Sequence, residues 1–339
     1  MRRNESIRRM LASACIVALG LVGIIGSGGG ALPLPGLPSD CPPGDDCSAP
    51  PPSPAATIVP PYITALVGAP VSYSAQTAHF AGTPTYQWSR SSDGGTTYVD
   101  IPGATASTYS VAGVNLGDDG AVFRVIAQST NGSVSAVSHL AVSATPGLVF
   151  EDGEFQDADW LVTPLADSNE PAPAQTSERV PAGGNPGAYR KMVFTLPHQA
   201  LAGRVFYTSL VAAYDPRAQG AIYVIDFAED GIALQNSQLT ATESTLLLEQ
   251  AGRKYVANTR GNLAPDLTTR WSAIDSSASL RARDFVLLDG PVCASNEACP
   301  DFSALGLPMR FGYFRLSTGV QGDVIAHGID NWKVTVWRR

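Results

Sequence analysis

The sequence is short of cysteine, histidine, basic residues and helical periodicity, and each shortage excludes something. Five cysteines and four histidines in 339 residues leave little material for a His/Cys metal centre. None of His79, His139, His198 or His327 adjoins the two Cys-x5-Cys pairs, Cys41/Cys47 and Cys293/Cys299. Local disulfides are therefore the simpler reading and zinc the rival. Each disulfide would close a short loop and rigidify it rather than hold a domain together. Lysine and arginine number 22 against 30 acidic residues, for a net charge of −8. Arg2, Arg3, Arg8 and Arg9 sit at the very start, so the remainder is more acidic still. An acidic body repels nucleic acid and anionic membrane, and no basic patch with interleaved aromatics offsets this, so no nucleic-acid partner is expected. Beyond the first thirty residues, no segment sustains apolar residues at i, i+3, i+4 and i+7. Period-two alternation, with 33 glycines and 26 prolines, points to an all-β chain with room for about two domains.

The opening residues have a different logic. Met1–Arg9 is polar and basic, Met10–Ile25 is uncharged and mostly apolar, and Gly26–Ala31 carries only small side chains. That order is a secretory signal, and the apolar run is short for a membrane span. Residues 1–31 are thus expected to be a signal peptide, a retained leader being the alternative and the only membrane attachment foreseen. Residues 32–57, rich in Pro, Ser and Asp, read as an extended linker. The expected location is outside the cytoplasm: periplasmic, cell-surface or extracellular.

Residues 58–144 form the first expected domain. Val71, Tyr73 and Ala75 alternate as an inward strand face, Tyr86-Gln-Trp88 follows, and Asp118-Asp-Gly120 precedes Phe123 and Val125. The pattern resembles the bacterial immunoglobulin-like (I-set-like) domains, without their cysteines. The resemblance implies a sandwich with Trp88 in its core. Ala75 and Val125 take the cysteine positions, and Phe123 stands where a tyrosine corner would be. Trp88 would then pack on aliphatic groups alone. Such domains space or adhere, and fold alone does not name a ligand.

Residues 147–339 form the second. Apolar or alternating runs at Lys191–Leu196, Val205–Ala213, Ala221–Phe227, Phe285–Leu288 and Met309–Leu316 are parted by turn signals; many such strands suggest a jelly-roll β-sandwich. Phe150-Glu151-x-Gly153-x-Phe155 with Trp160 opens the domain, and Ile329-Asp330 with Val334 closes it. These motifs resemble the β-jelly-roll carbohydrate-binding and lectin-like modules. In that family the first and last strands lie side by side and often share a structural calcium. Carried over by position, Glu151 and Asp330 would be its ligands, with solvated carboxylates as the plainer reading. A sugar site needs aromatic platforms and planar hydrogen-bonding groups; Trp160, Asn185, Tyr189 and Arg190 are the candidates, while Trp332 alternates with Val334 and Val336 as core.

Signatures of catalysis are lacking. There is no Gly-x-Ser-x-Gly, no His-Glu-x-x-His and no phosphate-cradling glycine loop. The nearest carboxylate groupings, Glu151-Asp152-x-Glu154 and Asp226-x-x-Glu229-Asp230, lack the Glu-x-Asp-x-x-Glu spacing of laminarinase-type glycosidases. The expectation is a non-catalytic binding or adhesion protein, recognising a glycan or surface ligand through the jelly roll. The alternatives are a structural envelope protein with protein partners and, last, a jelly-roll glycoside hydrolase.

Overall fold

The computed structural model describes residues 52–165, 174–196, 202–235, 241–258, 270–287, 293, 299–318 and 324–338. The expected signal peptide, Cys41, Cys47 and most of the linker lie outside them. The described residues are nearly all β, as their alternation requires, with one short α-helix at Pro216–Gln219. The first sandwich is built from β1 (Ala55–Val59), β2 (Tyr62–Leu66), β3 (Val71–Ala78), β4 (Thr85–Ser91), β5 (Val99–Asp100), β6 (Thr108–Val111), β7 (Val122–Ser129) and β8 (Gly132–Ser143). One sheet has the order β1-β3-β6 and the other β2-β8-β7-β4-β5. Its start, at Ala55, takes in the last residues assigned to the linker.

This strand order, with β2 running parallel to β8, is that of an immunoglobulin-like sandwich. Trp88, Ala75, Phe123 and Val125 all face its core. Trp88 is fully buried, and its indole Nε1 donates to the Ala106 carbonyl at 2.9 Å. The expectation of purely aliphatic packing is corrected: Tyr73 and Tyr109 lie 6.1 and 5.9 Å from the Trp88 ring, and Phe123 lies 4.7 Å from Tyr73. An aromatic cluster therefore fills the space around Trp88 that a bridge would otherwise share.

The second sandwich comprises β9 (Leu148–Asp152), β10 (Trp160–Leu165), β11 (Ala174–Gly184), β12 (Gly187–Thr195), β13 (Ala202–Tyr214), β14 (Ile222–Gln235), β15 (Ala241–Gln250), β16 (Arg253–Ala257), β17 (Ser272–Leu280), β18 (Phe285–Leu287), β19 (Met309–Thr318) and β20 (Val324–Arg338). One sheet runs β11-β12-β20-β14-β17, with β9 also on β20; the other runs β10-β13-β19-β15-β16-β18. The chain crosses repeatedly between the two sheets, staying within one only at β11–β12, β15–β16 and β18–β19, as in a jelly-roll sandwich with added hairpins. Cys293 and Cys299 form the expected local disulfide.

β20 organises the first of these sheets. Its N-terminal half pairs with β12, its C-terminal half with β9, and its other edge with β14. Ile325 and Ile329 face the core, and so do Trp332, Val334 and Val336. Those two series are out of phase by one residue. A β-bulge at Asp330–Asn331 absorbs the extra residue, with Asn331 at φ 51°.

The two sandwiches meet through polar contacts. The Asp226 carboxylate on β14 accepts from Thr64 Oγ1 of β2, from the Ser279 backbone N–H and from Trp337 Nε1, each at 2.7 Å. Tyr223 donates to Asp119, and Ser143 Oγ donates to the Arg338 carbonyl at 2.8 Å. Ala141 packs with Tyr223, Val224 and Trp337. Burial raises the pKa of Asp226, and its three donors pull it back.

Candidate functional site

The residues singled out from the sequence separate into two groups on opposite faces of the β20 sheet. Trp160 and Arg190 belong to the interior, which corrects their assignment as ligand contacts. Trp160 is buried among Phe155, Tyr313 and Trp332, with ring centroids 5.7, 5.2 and 5.2 Å away. Its Nε1 donates to Asp152 Oδ2 at 2.7 Å. Asp152 Oδ1 also accepts from the Glu154 and Phe155 backbone N–H groups. Arg190, 1% exposed, binds Asp157 Oδ1 at 2.9 Å and Ser177 Oγ at 2.7 Å. The opening motif is thus a staple: it carries the chain from β9 in one sheet to β10 in the other and seals the core as it crosses.

Glu151 and Asp330, expected to converge, lie in different surroundings. Glu151 is exposed, opposite Lys333 across the β9–β20 ladder. Side chains alternate along a strand, and Phe150, its neighbour, packs against the core. Asp152 therefore faces the interior and Glu151 does not. Asp330 is fully buried, with its oxygens taken by the backbone N–H groups of Asn331, at 2.7 Å, and Asn185. Burial raises its pKa, those N–H groups lower it, and Asp230 and Asp152 raise it again. Among the described residues no group of three or more His, Cys, Asp or Glu is disposed to hold a metal ion. The role of Asp330 is to anchor the β11–β12 turn to the bulge. Gly184 in that turn is required by close approach, since a Cβ there would run into Asp330 Oδ2 and the Ala188 carbonyl.

Asn185 and Tyr189 lie on the outer face, with a third residue that pattern reading missed. The half-buried rings of Tyr189 and Trp271 pack edge to face, centroids 5.3 Å apart and planes at 76°. Trp271 Nε1 donates to the Gly183 carbonyl at 2.8 Å, tying the start of β17 to the end of β11 across the sheet. Both rings rest on bare backbone. A Cβ on Gly328 would meet Tyr189 Cδ2, Trp271 Cη2 and Ile232 Cγ2 at 2.9 Å each. Beside this shelf, Asp230 Oδ2 accepts from Asn185 Nδ2 at 3.0 Å and Asn331 Nδ2 at 2.7 Å, and Asn331 Nδ2 also reaches the Asn185 carbonyl at 2.6 Å. An aromatic platform therefore adjoins a fixed set of amide and carboxylate groups. Tyr189 was accessible to sequence reading by its place two residues after a glycine turn. Trp271 was not, because only the long-range pairing of β14 with β17 brings it to Tyr189.

The carboxylate run that came nearest to a catalytic grouping is split by the pleat. Glu229 faces the interior, paired with Arg315 at 2.8 Å. Asp226 faces outward into the contact with the first sandwich, and Asp230 outward beside the shelf.

Fold and surface together define a class: a two-sandwich all-β protein, an immunoglobulin-like module joined to a jelly roll that exposes an aromatic shelf. No family model matches the chain, and no curated protein matches it. Solved structures similar to it include the N-terminal four Ig domains of Dscam1 isoform 6.9, at 21% identity over 26% of this chain and TM-score 0.22. Isoform 4.44 matches at 22% identity over the same share, with TM-score 0.21. The chain spans 21% of the length of each of those chains. A structure titled "Structural basis of T cell specificity and activation by the bacterial superantigen toxic shock syndrome toxin-1" matches at 15% identity, covering 26% of this chain and 99% of that one, with TM-score 0.22. The immunoglobulin-like assignment rests on the strand order and the buried Trp88.

Proposed function

We propose that this is an exported, non-catalytic binding protein that recognises a glycan on the Tyr189–Trp271 shelf, with the immunoglobulin-like sandwich as spacer. One observation carries the reading: two aromatic rings seated on Gly328 beside the Asn185–Asp230–Asn331 group. A sugar ring presents C–H groups on one face and hydroxyls around its rim. Aromatic faces suit the former, and side-chain amides and carboxylates the latter. The separation of Glu229 from Asp226 and Asp230 by the sheet supports a non-catalytic role. Export is supported by the leader pattern and by the Cys293–Cys299 disulfide. Among the described residues no helix is long and apolar enough to cross a membrane.

The test is a glycan array with the full chain and its Tyr189→Ala and Trp271→Ala variants. Binding that disappears in both variants, at unchanged melting temperature, supports the shelf. Silence of the parent protein across a broad panel, or binding indifferent to both changes, removes it.

A further inference from the structure

The interior of the second sandwich changes character along its strands. One end is aromatic, with Phe155, Trp160, Phe285, Phe311 and Trp332. Toward the other end, Ser244 of β15 and Arg315 of β19 are paired neighbours, and Glu229 of β14 and His327 of β20 come from the facing sheet. All four are buried. Arg315 is wholly enclosed, its Nη1 donating to Glu229 Oε1 at 2.8 Å and its Cζ 4.8 Å from the Tyr313 ring centroid. His327 stacks on Phe194, centroids 5.2 Å apart. Ser317 and Thr242, bonded to each other at 3.2 Å, continue the polar surface along β19 and β15.

This cluster is unfinished. Arg315 Nε and Nη2, Glu229 Oε2, Ser244 Oγ and both His327 nitrogens are buried without a hydrogen-bond partner. The Ser244 hydroxyl is near enough to favour the ionised form of Glu229, yet falls short of a hydrogen bond to it. Buried polar groups in folded proteins are nearly always satisfied, and a stranded one costs about 1–3 kcal/mol. So many orphans around one guanidinium mark a place where guest polar atoms, of water or of a ligand, would be held. The orphaned arginine edge says what kind. The Nε–H and one Nη2–H of a guanidinium are parallel and coplanar, the fork that a planar carboxylate fills with two bonds. Glu229 holds the remaining nitrogen and so fixes which edge stays open.

We propose that this end of the sandwich interior is a binding site for a small carboxylate, held bidentately on the Nε/Nη2 edge of Arg315, with Ser244 and His327 completing its hydrogen bonds. Burial raises the pKa of Glu229 and the Arg315 charge pulls it back. Glu229 can therefore take a proton from solvent when a second carboxylate reaches Arg315, which preserves the interior's charge balance. The ligand contacts no residue of the outer aromatic shelf, so the two sites stand or fall separately.

The experiment titrates the full-length protein with sodium acetate and sodium succinate. Sodium chloride and sodium sulfate at equal ionic strength are the controls, and the readouts are melting temperature and calorimetry. Acetate or succinate is expected to raise the melting temperature in proportion to the logarithm of its concentration above saturation, with neither control doing so. Arg315→Lys keeps the charge but loses the fork, and is expected to weaken binding about tenfold or more. The double change Arg315→Met with Glu229→Leu removes the buried pair together, which cores tolerate far better than removing one partner; it should stay folded and lose the response. Equal shifts with chloride, a response to sulfate alone, or a response retained in the double variant would each overturn the proposal. So would a high-resolution crystal structure from acetate showing only water on that edge.

Discussion

Gly328 shows how little separates the proposed binding surface from a plain sheet. Its missing side chain is what lets Tyr189 and Trp271 lie on β20. Gly328→Ala should displace both rings, cost about 1–3 kcal/mol in chemical denaturation through overpacking, and abolish shelf binding while far-ultraviolet circular dichroism stays unchanged. One residue away, His327 makes a second prediction. Burial, then the Arg315 charge, lowers its pKa well below 6.5. The unfolded chain takes up a proton near that pH and the folded one refuses it, so the neutral imidazole's contribution is intact above about pH 6.5 and is lost as pH falls below. Urea unfolding at successive pH values should show His327→Phe with the shallower acid slope, by up to about 1.4 kcal/mol per pH unit. An identical slope in both proteins would exclude His327 as the source.

At the scale of elements, the bulge in β20 was written in the sequence. Ile325 and Ile329 fall in one phase and Trp332, Val334 and Val336 in the other, and a strand can keep both sets inside only by adding a residue between them. Asp330 sits at that break and accepts the N–H groups of Asn331 and Asn185. Asp330→Ala should strand both donors and cost about 2–3 kcal/mol, with amide exchange at residues 184–187 rising before global unfolding. The same alternation, applied to β9, would have placed Asp152 rather than Glu151 inside, since Phe150 points inward. Residue type alone does not distinguish two adjacent carboxylates, whereas the pleat does. Arg190 and Trp160 were misplaced for a related reason. Their chemistry suits a sugar site, but their strands turn them inward, and the partners that satisfy Arg190, the Asp157 carboxylate and the Ser177 hydroxyl, come from two other segments.

Across the whole molecule, two sandwiches and many of their strands were legible from alternation and turn residues, whereas β11, β15, β16 and β17 and the junction between the sandwiches were not. Thr64, Asp226, Ser279 and Trp337 are scattered along the chain, and only the completed fold converges them on one carboxylate. Asp226→Ala should leave these donors unsatisfied and loosen the junction. Small-angle scattering is expected to show a broader distribution of interdomain distances, and limited proteolysis faster cleavage around residues 144–148; scattering identical to that of the parent protein would mean the carboxylate is dispensable. Within the jelly roll, β20 pairs with β9, β12 and β14. Without it that sheet falls into disconnected pieces: β9 alone, β11 with β12, and β14 with β17. β20 is also the last of these strands to leave the ribosome. Because contacts so distant in sequence form slowly, the nascent β20 sheet stays open until β20 has been made, a delay that would suit the export proposed above.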